Sequence, residues 1–166
     1  MTQSAVEKDQ ATPKEMAIIA ARAADEKKAT DIVVQKVGDI ISVTEYFVIV
    51  TAANSRQVSA IIDEIEEAER LQAKAKPFHR EETRDGSWEL LDYGSVVVHV
   101  FQPETREYYR LEALWNDAPV MDLAAEAGIE DAVYSDRIAA LLRNCEEAGE
   151  LEENRQPEAE DSSAEE

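Results

Sequence analysis

Residues 46–68 read YFVIVTAANSRQVSAIIDEIEEA, and this stretch places an apolar strand directly before an amphipathic helix. Its first part, from Tyr46 to Thr51, is almost continuously apolar, as is typical of a central strand that is buried on both faces. Asn54 is a helix-capping residue type, and Gln57 follows it at the third position. The apolar residues after the cap recur at helical spacing: Val58, Ile61, Ile62, Ile65 and Ala68. The stretch therefore predicts an α/β fold.

The segments on either side continue the alternation of helix and strand. Thr12-Pro13-Lys14-Glu15 is a capping box with proline in the first turn, so a helix is predicted from there to about Lys28. Residues 31–37 are rich in β-branched side chains and predict a short strand. Pro103 begins a last predicted helix, whose stripe comprises Tyr108, Leu111, Leu114 and Trp115. We expect a mixed β-sheet packed with helices, which belongs to the α/β class.

A β-hairpin is predicted over residues 88–101, where two apolar strands flank Tyr93-Gly94. A two-residue loop at that point would pair Trp88 with His99. One face of the hairpin is small and aliphatic, which suits a packed helix; it carries Leu91, Val96, Val98 and Val100. Glu89 shares that face and must reach its edge or find a partner.

The opposite face of the hairpin mixes large apolar and polar side chains: Trp88, Leu90, Asp92, Ser95, Val97, His99 and Phe101. Such a mixture is typical of a protein-binding surface. The alternative is that a helix covers this face too, with Trp88 in the core and His99 as a core histidine whose hydrogen bonds are satisfied. Periodicity alone leaves both interpretations open. For Tyr108 and Leu111 in the last helix we expect packing against the sheet.

The chain is strongly acidic, because its 166 residues carry 37 Asp and Glu against 17 Lys and Arg, a formal net charge of −20. Phosphate backbones repel such a chain, and it has few cations for the counterion release that drives nucleic-acid binding. An anionic membrane surface is disfavoured on the same grounds, while a basic protein partner is favoured. Met1 to Gln10 lacks the apolar core of a signal peptide, and the single Cys145 fits a reducing compartment. We therefore expect a soluble, cytoplasmic protein with no membrane contact and no nucleic acid as its main partner.

Acidic residues are concentrated toward the C-terminus, where residues 122–166 carry a net charge of −12. We expect a flexible N-terminal arm over 1–11, one folded domain over 12–121, an acidic linker over 122–149 and a disordered acidic tail over 150–166. Within the linker, a short amphipathic helix is predicted by the helical spacing of Ile138, Leu141, Leu142 and Cys145. The tail is expected to serve solubility, with competition for basic surfaces as the alternative.

No constellation of catalytic or metal-binding residues stands out in the sequence. His79 and His99 are well separated, and neither has a metal-ligand spacing around it. The chain contains five glycines and no Gly-rich phosphate loop. Acidic pairs are frequent, as any charge-rich sequence produces, and we assign none of them a catalytic role. We expect no cofactor, no metal and no enzymatic activity.

Six motifs occur in a fixed order: Ser42-Val-Thr-Glu-Tyr-Phe-Val-Ile49, Asn54-Ser-Arg-Gln-Val58, Trp88-Glu-Leu-Leu-Asp-Tyr-Gly94, Val96-Val-Val-His-Val-Phe101, Tyr108-Tyr-Arg-Leu-Glu112 and Leu114-Trp115. Together they resemble the ribosomal silencing factor family, also called Iojap-related. The resemblance extends from Lys14 to Pro119. Two positions depart from the family, which often has Asp where this chain has Glu45 and again where it has Ser95. The second change removes one charged contact.

The resemblance implies a nucleotidyltransferase-like fold and a translational repressor that binds the large ribosomal subunit. The contact would be the fourteenth-numbered protein of that subunit, on the face that meets the small subunit, so that the bound factor sterically blocks subunit joining. The resemblance also favours the mixed hairpin face as the docking surface, with Trp88 as a buried anchor, Leu90 beside it and Asp92 as the partner of a Lys or Arg. The other residues expected in this surface are His99, Tyr109, Leu114 and Trp115.

Two alternatives accompany this interpretation. A nucleotidyltransferase enzyme needs a Gly-Ser pair followed by closely spaced carboxylates that hold Mg²⁺. After Gly94-Ser95 the next acid is Glu104, so this activity is disfavoured. The edge strands and the stripe from Tyr108 to Trp115 would allow a homodimer, and the sequence does not decide the oligomeric state.

Overall fold

The computed structural model describes residues 10–145, which form a five-stranded sheet packed with helices. The strands are β1 (Thr30–Lys36), β2 (Tyr46–Thr51), β3 (His79–Glu82), β4 (Trp88–Asp92) and β5 (Val96–Phe101). The helices are α1 (Pro13–Glu26), α2 (Ser55–Ala73), α3 (Pro103–Tyr109), α4 (Leu111–Leu114), α5 (Leu123–Ala127) and α6 (136–145). The predicted α/β class is confirmed. Most of the expected N-terminal arm and all of the expected acidic tail lie outside the described residues.

The strand order across the sheet is β1-β2-β5-β4-β3. β2 and β5 are parallel neighbours at the centre, and the other adjacent pairs are antiparallel. A parallel pair requires a long crossover connection, which here contains α2, β3 and β4. All residues of β2 except Phe47 are buried, as expected for a central strand.

α1 and α2 pack side by side on one face of the sheet and build the main core with it. Both helices begin at the predicted caps. Thr12 and Glu15 form the capping box of α1, and the Asn54 side chain accepts the Gln57 N–H at 2.9 Å. The predicted apolar residues of α2 are all buried, and so is the aliphatic face of the hairpin. Periodicity and capping together therefore locate this layer correctly.

Glu89 lies on the same inner face, where its carboxylate is buried. The Ser59 hydroxyl donates to one of its oxygens at 3.2 Å, and the Arg80 guanidinium lies 3.5 Å from the other. Burial raises the pKa of Glu89 despite the opposing charge of Arg80. The expectation that this acid must find a partner is confirmed.

The hairpin between β4 and β5 turns one residue later than predicted. Trp88 pairs with Phe101 and not with His99, so the predicted register is wrong by two residues. The loop is Gly94-Ser95, in which Gly94 has a φ of +83° and donates its N–H to the Asp92 side chain at 2.8 Å. Glycine takes the first loop position because it adopts that φ at little steric cost. A shift of two residues leaves every side chain on its predicted face.

The predicted last helix is interrupted at Arg110, where φ is +47°, and forms the two short helices α3 and α4. Tyr108 is 82% exposed, so its expected packing against the sheet is wrong. The physical reason is a buried ion pair on the other side of these helices, where Arg106 Nε lies 3.2 Å from Glu112 Oε2. Both charged side chains are buried toward the sheet, and Tyr108 is left facing solvent.

Residues beyond Met121, in the segment expected to be an acidic linker, pack on the body of the protein as far as the structure describes them. Val120 forms an antiparallel bridge with Gln35 of β1. The apolar side chains that the following segment buries are Leu123, Ala127, Ile129 and Ile138. We therefore propose that the folded domain continues past Met121. No helix within residues 10–145 is long and apolar enough to cross a membrane.

Candidate protein-docking surface

The sheet face opposite α1 and α2 is divided into a covered half and an open half. Over β1 and β2 it is covered by α4, whose main chain is hydrogen-bonded to the sheet: the Gln35 side chain of β1 donates at 2.8 Å to the main-chain oxygen of Glu112. Over β4 and β5 it is open, and Leu90, Asp92 and Val97 are only half-buried. A covering helix is thus present over one half of this face, and the hairpin half is left to solvent.

The strand register aligns the side chains of this face in rows across the sheet, because directly paired residues share a face. The first row is His79, Asp92, Val97 and Phe47; the second is Glu81, Leu90, His99 and Ile49; the third is Trp88 and Phe101. We call the exposed part of these rows, together with the flanking Tyr109, Leu114 and Trp115, the docking face.

Trp88 is the centre of an aromatic cluster on the docking face. Its ring centroid lies 4.8 Å from that of Phe101 in a stacked arrangement, 4.9 Å from Tyr109 and 5.8 Å from His99. Phe101 is fully buried, whereas Trp88 is half-buried and Tyr109 is 48% exposed. Such ring pairs stabilise each other beyond their area burial, by about 0.5–1.5 kcal/mol each. The buried Phe101 ring therefore packs against both Trp88 and Tyr109 and supports these more exposed rings.

Phe47 extends the cluster toward the covered half of the sheet. Its ring lies 5.4 Å from His99 and 6.2 Å from Trp115, in both cases edge to face. Leu114, directly before Trp115, is 68% exposed. The aromatic surface thus continues from the hairpin to the end of α4.

His99 lies beneath the surface and is 6% exposed. The Trp88 indole Nε1–H donates to its Nδ1 at 3.2 Å, which requires an imidazole whose Nδ1 carries no proton. Burial, reinforced by the positive charge of Arg106, lowers the pKa of His99 to about 4 against a weaker opposing effect of Asp92. His99 is therefore a neutral acceptor that orients Trp88.

Carboxylates form one edge of the docking face. Asp92 is half-buried and Glu81 is exposed, and both stand next to Leu90 on this face. Arg80 lies between them on the opposite face, where it contacts Glu66 at 3.0 Å. The arrangement gives the docking face an apolar, aromatic middle with a negative rim.

The structure brings most of the predicted site residues together. Trp88 contacts His99 and Tyr109 directly, and Leu90 is the register partner of His99. Asp92 is the next residue of β4 on the same face as Leu90. Trp115 contacts Phe47, which in turn contacts His99, and Leu114 directly precedes Trp115. Sequence reasoning missed three residues of the docking face: Phe47, His79 and Glu81. The sequence of β3 is HREE, which lacks the alternation of apolar and polar residues that is typical of a strand, so the sequence pattern does not predict it.

Two features of the described residues bear on the alternative of an enzyme of the nucleotidyltransferase kind. Within residues 10–145, no three His, Cys, Asp or Glu side chains gather as they would to hold a metal ion. Gly94-Ser95 forms the hairpin loop, and the hydroxyl of Ser87, in the other Gly-Ser pair, donates to Asp85 at 2.7 Å.

Comparisons with known proteins agree on one family. The family model described as "Ribosomal silencing factor during starvation" matches residues 10–163. The ribosomal silencing factor of Bacillus subtilis is 42% identical over 106 residues, which cover 63% of this chain and 88% of that protein. The chloroplastic protein Iojap of Zea mays is 37% identical over 115 residues, which cover 69% of this chain and 50% of that protein. A crystal structure of a Chromobacterium violaceum protein matches with a TM-score of 0.60 at 30% identity, covering 63% of this chain and 87% of that one.

Proposed function

This chain belongs to the ribosomal silencing factor family, and from that membership we propose that it represses translation by binding the large ribosomal subunit. The contact we propose is the fourteenth-numbered protein of that subunit, on the side that meets the small subunit. Silencing in this proposal is steric and needs no enzymatic step, in keeping with relatives named as silencing factors.

The observation that carries the proposal is the docking face itself. It exposes a Trp-centred aromatic cluster in which Trp88 is oriented by a hydrogen bond and two ring contacts. Aromatic side chains that are fixed before binding lose little conformational entropy on binding, and they dominate the energetics of many protein interfaces. An open aromatic face of this kind is therefore suited to a protein partner.

The charge of the docking face favours a basic partner. Asp92 and Glu81 form its negative rim, and the chain as a whole has a net charge of −20. Opposite charges speed the encounter of two proteins and disfavour wrong partners. A basic ribosomal protein fits this surface better than bare rRNA does, because rRNA would be repelled by the same charges.

The size of the protein is sufficient for a steric mechanism. A domain of about 130 residues has a radius of gyration of about 14 Å. Bound on the face of the large subunit that meets the small subunit, such a body occupies space that a bridge between the subunits requires.

The proposal is tested by sedimentation of large ribosomal subunits with the purified protein, with and without added small subunits. We expect the protein to migrate with the large subunit and the fraction of joined ribosomes to fall. Absence of co-migration at low and moderate salt would contradict the proposal. Co-migration without a fall in joined ribosomes would contradict the steric mechanism alone.

Two variants map the contact to the docking face. Trp88→Ala removes the aromatic anchor and is expected to weaken binding by about 2 kcal/mol or more, roughly 30-fold. Asp92→Asn keeps the oxygen that accepts the Gly94 N–H but removes the charge, so it should weaken binding chiefly at low salt.

Matched controls come from the opposite layer of the protein. Leu71→Ala removes an exposed apolar side chain of α2, and Glu26→Gln removes an exposed charge at the end of α1. Both should bind like the unmodified protein, and thermal unfolding confirms that all four variants are folded. Unchanged binding by both docking-face variants would place the contact elsewhere.

A further inference from the structure

The chain that follows the docking face returns along β1 and is tied to it by backbone hydrogen bonds. The Lys36 N–H donates to the Pro119 oxygen at 2.8 Å, and the Met121 N–H donates to the Val34 oxygen at 2.9 Å. Farther along, the Asp31 N–H donates to the Val133 oxygen at 2.9 Å. The segment from 118 to 133 is therefore anchored to the β1 side of the sheet at both of its ends.

Two further contacts fix the start of α6. The Tyr134 hydroxyl donates to the main-chain oxygen of Ile32 at 2.8 Å, and the Ser135 N–H donates to a carboxylate oxygen of Asp31 at 2.7 Å. Ile138, in the first turn of α6, is fully buried. These contacts fix the position of the first turn of α6 against β1, and with it the positions of the side chains in that turn.

Arg137 in that turn reaches both short helices of the docking face. Its Nε lies 2.7 Å from Glu107 Oε2 on α3, and its Nη2 lies 2.7 Å from Glu112 Oε1 on α4. Glu112 is fully buried and is held on its other oxygen by Arg106. Arg137 thus bridges α3 and α4, which come on either side of the break at Arg110.

The short helices need such external contacts to keep their position. α3 has seven residues and α4 has four, lengths at which isolated helices are not stable in water. Removing Arg137 would leave the buried Oε1 of Glu112 without its cation, with Arg106 as the remaining partner on Oε2, and a buried carboxylate that loses an ion-pair partner is destabilised. Tyr109 and Trp115 lie at the C-terminal ends of these helices, so their positions depend on the same contacts.

We propose that residues 118–138 act as a brace that positions α3 and α4, with Arg137 as a positioning residue for the docking face. The link to large-subunit binding rests on the function proposed above. The brace itself is a property of the isolated protein.

The test compares Arg137→Ala and Arg137→Lys with Arg143→Ala, a control that removes an exposed arginine from the same helix. Hydrogen exchange of the free, full-length proteins is followed over residues 103–115, where every residue except Pro103 has an amide N–H, and at the β5 amides 96–101. We expect Arg137→Ala to accelerate exchange about tenfold or more over 103–115 while β5 exchange stays unchanged. Arg137→Lys, which can still pair with one carboxylate, should restore part of the protection.

Large-subunit binding is then measured at a temperature at which every variant is fully folded. We expect Arg137→Ala to weaken binding about fivefold or more and Arg143→Ala to leave it unchanged. Unaltered exchange over 103–115, or equal acceleration over 103–115 and β5, would overturn the brace whatever the binding result. Local acceleration with unaltered binding would overturn the positioning role. If the unmodified protein itself does not bind, the proposed function fails, and the exchange result still decides the brace.

Discussion

The hydrogen bond between Trp88 and His99 predicts a specific dependence of stability on pH. Burial, reinforced by Arg106, lowers the pKa of His99 to about 4, whereas an unfolded histidine titrates near 6.5. A protonated imidazole has two N–H donors and no acceptor, so it cannot receive the Trp88 Nε1–H. Acidification therefore favours the unfolded state, in which His99 takes up a proton freely.

The size of the effect follows from these two pKa values. Between pH 6.5 and 4 the unfolded chain binds the proton and the folded protein does not, so the stability contributed by His99 is complete above pH 6.5 and is lost as pH falls. Lowering the pH from 7 to 5 should reduce the free energy of unfolding by about 2 kcal/mol through this one side chain.

The assay is urea unfolding of the unmodified protein and of His99→Asn at pH 7 and pH 5. Asparagine places an oxygen near the position of Nδ1, so it keeps an acceptor for Trp88 and does not titrate. The unmodified protein should lose about 2 kcal/mol more than the variant between the two pH values. Other titrating groups are common to both proteins and cancel in the difference. Equal losses in the two proteins would refute the reasoning.

Three further predictions concern the stability of the fold. Burial raises the pKa of Glu69 from 4.5 to about 8, so the folded state holds a proton that the unfolded state releases; stability should fall as pH rises from 5 to 8, and Glu69→Gln should remove that fall in urea titrations. Gly94→Ala should lower stability by about 1–2 kcal/mol in thermal unfolding, because its φ is +83° and a Cβ there would lie 3.0 Å from the Phe78 ring; an unchanged melting temperature would contradict this. Asn54→Ala should cost about 1 kcal/mol by removing the cap of α2, and Asn54→Ser should restore most of it.

The parts of the fold that sequence predicts well are those governed by local rules. β2 and α2 follow from an apolar run, a capping residue and helical spacing, and each of these acts within a few residues. The two faces of the hairpin were also correct, although its register was not. An error of two positions preserves the alternation of side chains, so the residues that share each face of the hairpin can be predicted without knowing the loop.

The parts that sequence does not predict depend on tertiary contacts. Arg106 and Glu112 are buried as an ion pair, and charged residues are so rarely buried that no pattern marks them. Because Arg106 and Glu112 are buried toward the sheet, Tyr108 lies on the solvent-facing side of α3. The packing of the segment after Met121 is hidden for a related reason. Helical spacing indicates the short helix that contains Ile138, but the acidic composition gives no sign that Leu123, Ala127 and Ile129 are buried or that Arg137 pairs with two carboxylates.

The parallel pairing at the centre of the sheet has a consequence for how this protein is made. Tyr46 and Val96 are neighbours in space but stand far apart in the chain. During synthesis β1, β2, α1 and α2 emerge first, and their apolar surfaces have no complete sheet to pack on until β5 has been translated. Strand pairs between residues that are far apart in the sequence also form slowly, because the chain between them must be ordered first. A nascent chain arrested before Phe101 would thus expose its core, because the central strand β5 is not yet complete.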